Sequence, residues 1–158
     1  MSGLLDVEII ALRAEQAIEL SDLLLSAPVE YSKHFVPFAF DRLPISNVLS
    51  HAQKDQYYGV YVAGKIAGFF MLRGFDQGYK IPAYGVWIAP HYAGKGLAGL
   101  TLKHAMVVCR VNGIDTLMLK VHPKNTVAKR LYERNGFVAV GNDEKNGNII
   151  YHKILIKT

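Results

Sequence analysis

Residues 88–98 read I-A-P-H-Y-A-G-K-G-L-A, and this stretch decides the fold. A β-rich run precedes it and a helical pattern follows it. Gly94, Gly96 and Gly99 form the pattern G-x-G-x-x-G at the predicted helix start. Small residues let backbone N–H groups approach a phosphate, and the positive end of a helix dipole adds to the attraction. The stretch therefore predicts a strand, a turn and a helix start that hold the pyrophosphate of a nucleotide-like cofactor.

Two better-known phosphate-binding patterns do not match this stretch. In a dinucleotide-binding fold the strand runs almost directly into the first glycine, whereas residues 90–93 intervene here. The next predicted strand also ends at His122 and not at an acidic ribose ligand. A triphosphate loop would need Gly-Lys-Ser/Thr, which is missing. A glycine pair alone also fits a tight turn that binds nothing, so a second motif is needed to distinguish a phosphate-binding turn from a purely structural one.

The second motif follows the next predicted strand. Asn125, Ala128 and Tyr132 are spaced by three and four residues, which places them on one face of a short helix. Gly136 ends that helix and Phe137 begins the strand after it. This spacing aims Tyr132 to one side of a helix that begins next to the sheet.

The patterns along the rest of the chain predict a mixed sheet with helices on its faces, in the order β, helices, β, β, β, helix, β, helix, β, β. Alternation and β-rich composition favour a hairpin around Ala63 and Gly64. Three prolines and several aromatic residues in 28–55 favour short helical pieces and a loop. The predicted strands cover residues 7–12, 57–62, 66–72, 83–89, 116–122, 137–141 and 148–156, and the clearest helices cover residues 95–112 and 126–135.

The bulk composition indicates one globular domain, residues 1–158. Apolar residues make up 51% and charged residues 20%, which excludes wholesale disorder. No apolar run is long enough to cross a bilayer and no signal peptide is evident, so we expect a cytoplasmic protein that has no membrane partner. The single cysteine, Cys109, is predicted to pack in the core, and the histidines lack the spacing of metal ligands, so no metal is expected. The net charge of +5 is scattered along the chain, which argues against nucleic acid as a partner.

Taken together, the two motifs resemble those of the GNAT superfamily of acyl-CoA-dependent N-acyltransferases. Residues 88–90 followed by 94–98 are similar to its cofactor-binding motif. The second motif of the family is similar to Asn125, Ala128, Leu131, Tyr132, Glu133, Gly136 and Phe137. The resemblance covers residues 56–158 well and the first 55 residues by element order. It implies an α/β fold with a mixed, mostly antiparallel sheet of about seven strands, splayed in the middle and flanked by helices.

The resemblance implies acetyl-CoA as co-substrate. The strands at residues 83–89 and 117–122 would border a gap that receives the pantetheine arm, and main-chain groups would hold the arm and polarise the thioester carbonyl. The residues expected to bind acetyl-CoA are Trp87, Ile88, Ala89, Gly94, Lys95, Gly96, Leu97, Ala98, Asn125 and Ala128.

Attack of a neutral amine on the acetyl group needs an acid for the departing thiolate and a base for the amine proton. Tyr132 matches the acid of the family, which protonates the sulfur of coenzyme A. His122 is the first candidate for the base, because histidine changes its protonation state near neutral pH. Tyr84, Asp76, Glu30 and a relay through water are the alternatives.

One position departs from the family pattern. The family usually places Arg or Gln where this chain has Ala93. One phosphate or turn contact is therefore missing here or supplied elsewhere, for example by Lys95 or Lys129. We expect pyrophosphate binding to depend on the main-chain N–H groups of residues 94–98.

The resulting prediction is an N-acetyltransferase that acts by direct attack in a ternary complex. We expect a small-molecule amine as acceptor, such as an amino sugar, which could be linked to a nucleotide. The alternatives are an acyl-CoA-binding regulatory or interaction module without turnover, and an acetyltransferase for protein N-termini or lysines. The aromatic group within residues 31–40 could wall an acceptor pocket or fill core, and a homodimer is possible.

Overall fold

A computed structural model describes residues 3–156 and shows a mixed sheet with helices. The sheet order is β1-β2-β3-β4-β5-β7-β6. The pairs β1–β2, β5–β7 and β6–β7 are antiparallel and β4–β5 is parallel, as predicted for this fold class. Within the described range the strands are β1 (Val7–Ala11), β2 (Gln56–Val62), β3 (Lys65–Arg73), β4 (Ala83–Ile88), β5 (Thr116–Val121), β6 (Val138–Asn142) and β7 (Ile149–Ile154). The α-helices in this range are α1 (Ala17–Ser26), α2 (Val29–Ser32), α3 (Arg42–His51), α4 (Leu97–Val111) and α5 (Thr126–Arg134).

The described residues form two compact units. The first contains residues 3–71 and Val86–Thr101, and the second contains Leu72–Gly85 and residues 102–156. Each unit has its own buried residues.

The core of the first unit lies where α1 and α3 pack together. Leu20, Leu24 and Ile45 are fully or almost fully buried, and α1 and α3 are in contact. The spacing of Leu20 and Leu24 puts both on one face of α1. Burying each of these side chains contributes about 1.5–3 kcal/mol, so this face holds α1 in place.

Residues 28–55 are more regular than their composition indicates. The prediction of short helical pieces holds for α2, but α3 is a ten-residue helix. Pro44 is the third residue of α3, where a missing N–H removes no intrahelical hydrogen bond. A proline in a first turn is therefore compatible with a full helix, and the sequence prediction underestimated this segment.

The hairpin between β2 and β3 turns as predicted. Ala63 and Gly64 both have positive φ, 50° and 79°. Two such residues in succession match the twist of the flanking strands, which is why a two-residue loop suffices. This hairpin supplies a second glycine turn, separate in sequence from the phosphate motif.

The second unit is organised around β5. Six residues of β5 pair with β7, from Thr116 opposite Ile154 to Val121 opposite Ile149. The parallel pairing with β4 places Ala83 opposite Met118, whose N–H donates to the Pro82 carbonyl at 3.0 Å. The buried stripe of α4 in this unit is Leu102, Ala105 and Cys109, each 0% exposed.

Candidate active site

The turn before α4 adopts the conformation that the glycine pattern predicts. Gly94 and Gly96 have φ of 77° and 89°, a region that favours glycine. The Leu100 N–H donates to the Gly96 carbonyl at 3.0 Å, so the helical hydrogen bonds begin at Gly96. The N–H groups of residues 97–99 then have no partner within the helix. Because Gly96 has no side chain to cap them, these donors are suited to an anion.

Space around this turn is open on the side of the glycines. A Cβ at Gly94 or Gly96 would meet no atom within 4 Å. Lys95, between them, is exposed. The geometry fits a phosphate group, which needs close backbone approach and a positive helix end.

Ala93 adds only a methyl group to this turn. Its N–H donates to the Pro90 carbonyl at 3.2 Å, which closes a short helical turn over Pro90–Tyr92. The side chain offers no donor. Position 93 therefore offers an anion no side-chain hydrogen bond.

The last residues of β4 present their main chain in two directions. The Ala89 N–H donates to the Ala67 carbonyl of β3 at 2.8 Å. Successive residues of a strand point their main-chain groups to opposite edges, so Ile88 faces away from β3. The Ile88 carbonyl accepts a hydrogen bond from the Tyr31 hydroxyl at 2.5 Å.

Tyr132 lies buried in the second unit, near the C-terminus of α5. Its ring meets Tyr84 edge-on, with ring centroids 6.4 Å apart, and Phe137 at 5.9 Å. Burial raises the pKa of the Tyr132 hydroxyl well above the ordinary tyrosine value. The phenol therefore keeps its proton to a higher pH than an exposed tyrosine does, and the protonated form is the one that a general acid requires.

The C-terminal end of α5 is attached to β7 by two side chains that the sequence reasoning did not single out. The Tyr151 hydroxyl donates to Glu133 at 2.8 Å, and Lys153 Nζ donates to the Asn135 carbonyl at 2.5 Å. Burial and the bond to Glu133 raise the pKa of Tyr151 to about 12. Glu133 next to Tyr132 belonged to the quoted motif, but its partner on β7 has no local signal.

Asn125 begins α5 as its N-cap. Its side-chain oxygen accepts the Ala128 N–H at 3.1 Å. This bond accounts for the spacing of three between the two residues, because an N-cap side chain reaches the third N–H of its helix. Asn125 and Ala128, both predicted to bind the cofactor, therefore form the start of the helix that bears Tyr132.

His122 follows β5 and is engaged locally. Its Nδ1 faces the Lys124 N–H at 3.1 Å, and its carbonyl accepts the Asn125 N–H at 2.9 Å. A neutral imidazole has one nitrogen lone pair, which here accepts from Lys124. For His122 to accept a proton at Nδ1, the bond to Lys124 would have to break.

Two further expectations concern packing. Cys109 is 0% exposed, and burial raises the pKa of its thiol to about 11, so the thiol is not an activated nucleophile. Phe35 and Phe38 pack against Phe69, with ring centroids 6.3 and 5.8 Å apart. Of the two interpretations of the aromatic group, these rings fill core, whereas Tyr31 and His34 stay exposed.

The predicted site residues fall into two groups. The first unit brings together the end of β4 and the turn before α4, with residues 87–89 and 94–98. The second brings together His122, Asn125, Ala128 and Tyr132. Across residues 3–156 we find no cluster of three His, Cys, Asp or Glu side chains able to hold a metal ion. None of the helices in that range has the length and apolar character needed to span a membrane.

The comparison with protein families identifies the class of this protein. The model of the acetyltransferase (GNAT) family matches residues 18–137. The match covers more than half of the chain, so this protein belongs to the GNAT family of acetyltransferases.

Individual proteins resemble the chain more distantly. Streptothricin acetyltransferase of Streptomyces lavendulae is 28% identical over 92 residues, which are 58% of this chain and 49% of that protein. The chain thus matches about half the length of this curated relative.

Two solved structures show the same fold at low identity. PaiA N-acetyltransferase from Thermoplasma acidophilum, in complex with coenzyme A, superposes with a TM-score of 0.76 at 20% identity, over 94% of this chain and 99% of that one. A chimera of the spermidine N-acetyltransferase SpeG from Vibrio cholerae superposes with a TM-score of 0.74 at 20% identity, over 94% and 95%.

Proposed function

We propose that this protein transfers an acetyl group from acetyl-CoA to a primary amine of a small molecule. The observation that carries the proposal is Tyr132, a buried phenol on α5, the helix of the family's second motif. The turn at Gly94 and Gly96, with its open main-chain donors, supports coenzyme A as the carrier.

The chain's own groups have distinct tasks in this proposal. Main-chain N–H groups of residues 94–98 bind the pyrophosphate. The main chain of residues 87–89 orients the pantetheine arm and polarises the thioester carbonyl. As the amine attacks, Tyr132 gives its proton to the departing sulfur, and its high pKa favours uptake of a proton afterwards. His122 is the proposed base, with water as the alternative route for the amine proton.

An anionic amine, such as an amino sugar linked to a nucleotide, is the proposed acceptor class. A net charge of +5 attracts anions and disfavours a polycationic polyamine. The curated relative is named for streptothricin and one of the fold neighbours for spermidine, so both compounds belong among those tested.

Acceptor choice is tested by measuring release of free thiol from acetyl-CoA. The panel should contain amino sugars, their nucleotide conjugates, spermidine, streptothricin, and peptides with free N-termini or lysines. We expect the fastest turnover with an amino sugar or its conjugate. Turnover with spermidine alone, or with peptides alone, would contradict the acceptor class and leave the transferase proposal standing.

A second candidate function is an acyl-CoA-binding module without turnover. Ala93 favours it, because the side chain that relatives use at this position is absent. Tyr132→Phe distinguishes the two functions. An enzyme should lose about a hundredfold or more in turnover while its affinity for CoA, measured by calorimetry, changes little. If the wild type binds CoA but releases no thiol with any acceptor, the module is the better description.

A further inference from the structure

The short helix α2 holds the end of β4 through two neighbouring residues. The Tyr31 hydroxyl donates to the Ile88 carbonyl at 2.5 Å. The Ser32 hydroxyl oxygen accepts the indole N–H of Trp87 at 2.9 Å. Adjacent residues of α2 thus bind adjacent residues of β4: Tyr31 bonds to the main chain of Ile88, and Ser32 bonds to the side chain of Trp87.

The second of these bonds is buried. Ser32 is 6% exposed and Trp87 is 4% exposed. The indole N–H can only donate, so Ser32 supplies the acceptor that burial demands. The Tyr31 ring also meets the indole edge-on, with centroids 5.7 Å apart and planes at 89°. Rotation of Trp87 would break both contacts.

The neighbouring strand restrains the same two residues. A Cβ at Gly68 of β3 would lie 2.5 Å from the Trp87 carbonyl oxygen and 2.8 Å from Ile88 Cδ1. Only glycine allows this close approach. The end of β4 is therefore held by β3 and by two residues of α2. We call these two residues, Tyr31 and Ser32, the α2 clamp.

We propose that the α2 clamp positions the main chain of Trp87 and Ile88 for acetyl transfer. This inference rests on the proposed function, in which that main chain orients the thioester. Small errors in the position of a reacting group reduce rates strongly, because the aligned geometry exists only when its supports are rigid. Tyr31 and Ser32 act through β4 and are positioning residues.

Tyr31→Phe removes the hydroxyl and keeps the ring against Trp87. We expect kcat to fall about tenfold, since one supporting hydrogen bond is lost. KM for acetyl-CoA should change less, because misalignment affects the transition state more than binding. Tyr58→Phe is the matched control: it removes a hydroxyl bonded to Gln56 from a ring stacked on Phe70, and kcat should not change.

Trp87 provides a spectroscopic signal of its own because it is the only tryptophan in the chain. Its fluorescence, excited where tyrosine does not absorb, reports on the indole alone. Ser32→Ala should change the emission maximum of the unliganded protein. In Tyr31→Phe the emission change on CoA addition should be smaller than in the wild type.

The outcomes separate this inference from the proposed function. Suppose that the wild type transfers acetyl groups, and that Tyr31→Phe has the kcat and the CoA-induced emission change of the wild type. That result would overturn the clamp and leave the proposed transferase activity intact. If the wild type binds CoA but transfers no acetyl group, the proposed transferase activity is contradicted. In that case the clamp would be overturned if the fluorescence emission of Tyr31→Phe and Ser32→Ala matched that of the wild type. A wild type that does not bind CoA would contradict both. If Ser32→Ala does not fold, Tyr31→Phe still decides.

Discussion

Asn125 illustrates how a side chain that the sequence predicts to bind a ligand has a structural role. Its amide oxygen is bonded to the Ala128 N–H, so α5 begins at a fixed residue. Tyr132 lies on that helix, and the position of its hydroxyl depends on where the helix begins. The capping role is independent of whether CoA is bound.

Asn125→Ala should lower the free energy of unfolding by about 1 kcal/mol, because a helix N–H loses its acceptor. Asn125→Ser should restore most of that loss, since serine is a comparable N-cap residue. Urea denaturation of both variants measures the effect. If Asn125→Ser lost as much free energy of unfolding as Asn125→Ala, the loss would not come from the N-cap hydrogen bond.

Tyr132 and Glu133 show what spacing can and cannot predict for single residues. The intervals of three and four residues placed Tyr132 on the correct helix, because helical geometry is local. The bond from Tyr151 to Glu133 joins residues 18 apart in sequence, and no local pattern predicts it. The same holds for Tyr31 and Ile88, which are 57 residues apart.

At the scale of elements, the turn before α4 is held by backbone conformation. Gly94 has φ of 77°, and Gly64 in the β2–β3 hairpin has φ of 79°. A Cβ added at either glycine would have no neighbouring atom within 4 Å. The two glycines therefore differ in location but not in local strain.

Gly94→Ala and Gly64→Ala should each lower the free energy of unfolding by about 1 kcal/mol, since alanine is strained at positive φ. Only Gly94→Ala should weaken CoA binding, by about tenfold or more, because its turn is the one that we propose binds the pyrophosphate. Thermal denaturation and calorimetric titration with CoA measure the two effects. If Gly94→Ala and Gly64→Ala had the same affinity for CoA, the turn at Gly94 would not be part of the CoA-binding site.

Element types were predictable where a period or a turn signal was strong. The β2–β3 hairpin, α4 and α5 agree with prediction within two residues at each end. Helix α3 was not predicted as a ten-residue element because proline was taken as a breaker, whereas a first-turn position tolerates it. The local pattern also left the role of the aromatic residues in 31–40 open, which packing then decided for Phe35 and Phe38.

Over the whole molecule, several tyrosines are shielded from water. Burial raises the pKa of Tyr61, Tyr132 and Tyr151, with the bonds to Glu19 and Glu133 adding to the effect at Tyr61 and Tyr151. In the unfolded chain these groups ionise near pH ~10. The folded protein therefore retains protons above that pH that the unfolded chain has lost.

The free energy of unfolding should fall as the pH rises above ~10, because the unfolded state then binds fewer protons. The contribution of these tyrosines is fully present below that pH and is lost as pH rises toward the folded-state pKa values. Urea midpoints measured from about pH 8 to about pH 11 test this, and Tyr132→Phe should flatten the decline.

Tyr79→Phe is the control for this measurement, because Tyr79 is 63% exposed. It should leave the pH dependence as in the wild type. A midpoint that does not depend on pH in this range would contradict the raised pKa values.

Residue type and spacing along the chain were enough to predict most of the elements other than α3, the strand–turn–helix around Gly94 and Gly96, and the family. Tertiary structure alone decided which distant groups meet: Tyr31 with Ile88, Ser32 with Trp87, and Tyr151 with Glu133. It also decided that His122 Nδ1 accepts a backbone N–H and that burial raises the pKa of Tyr132. Hydrogen bonds across long sequence separations and the loss of water around a side chain arise only when the chain is packed, so spacing could not predict them.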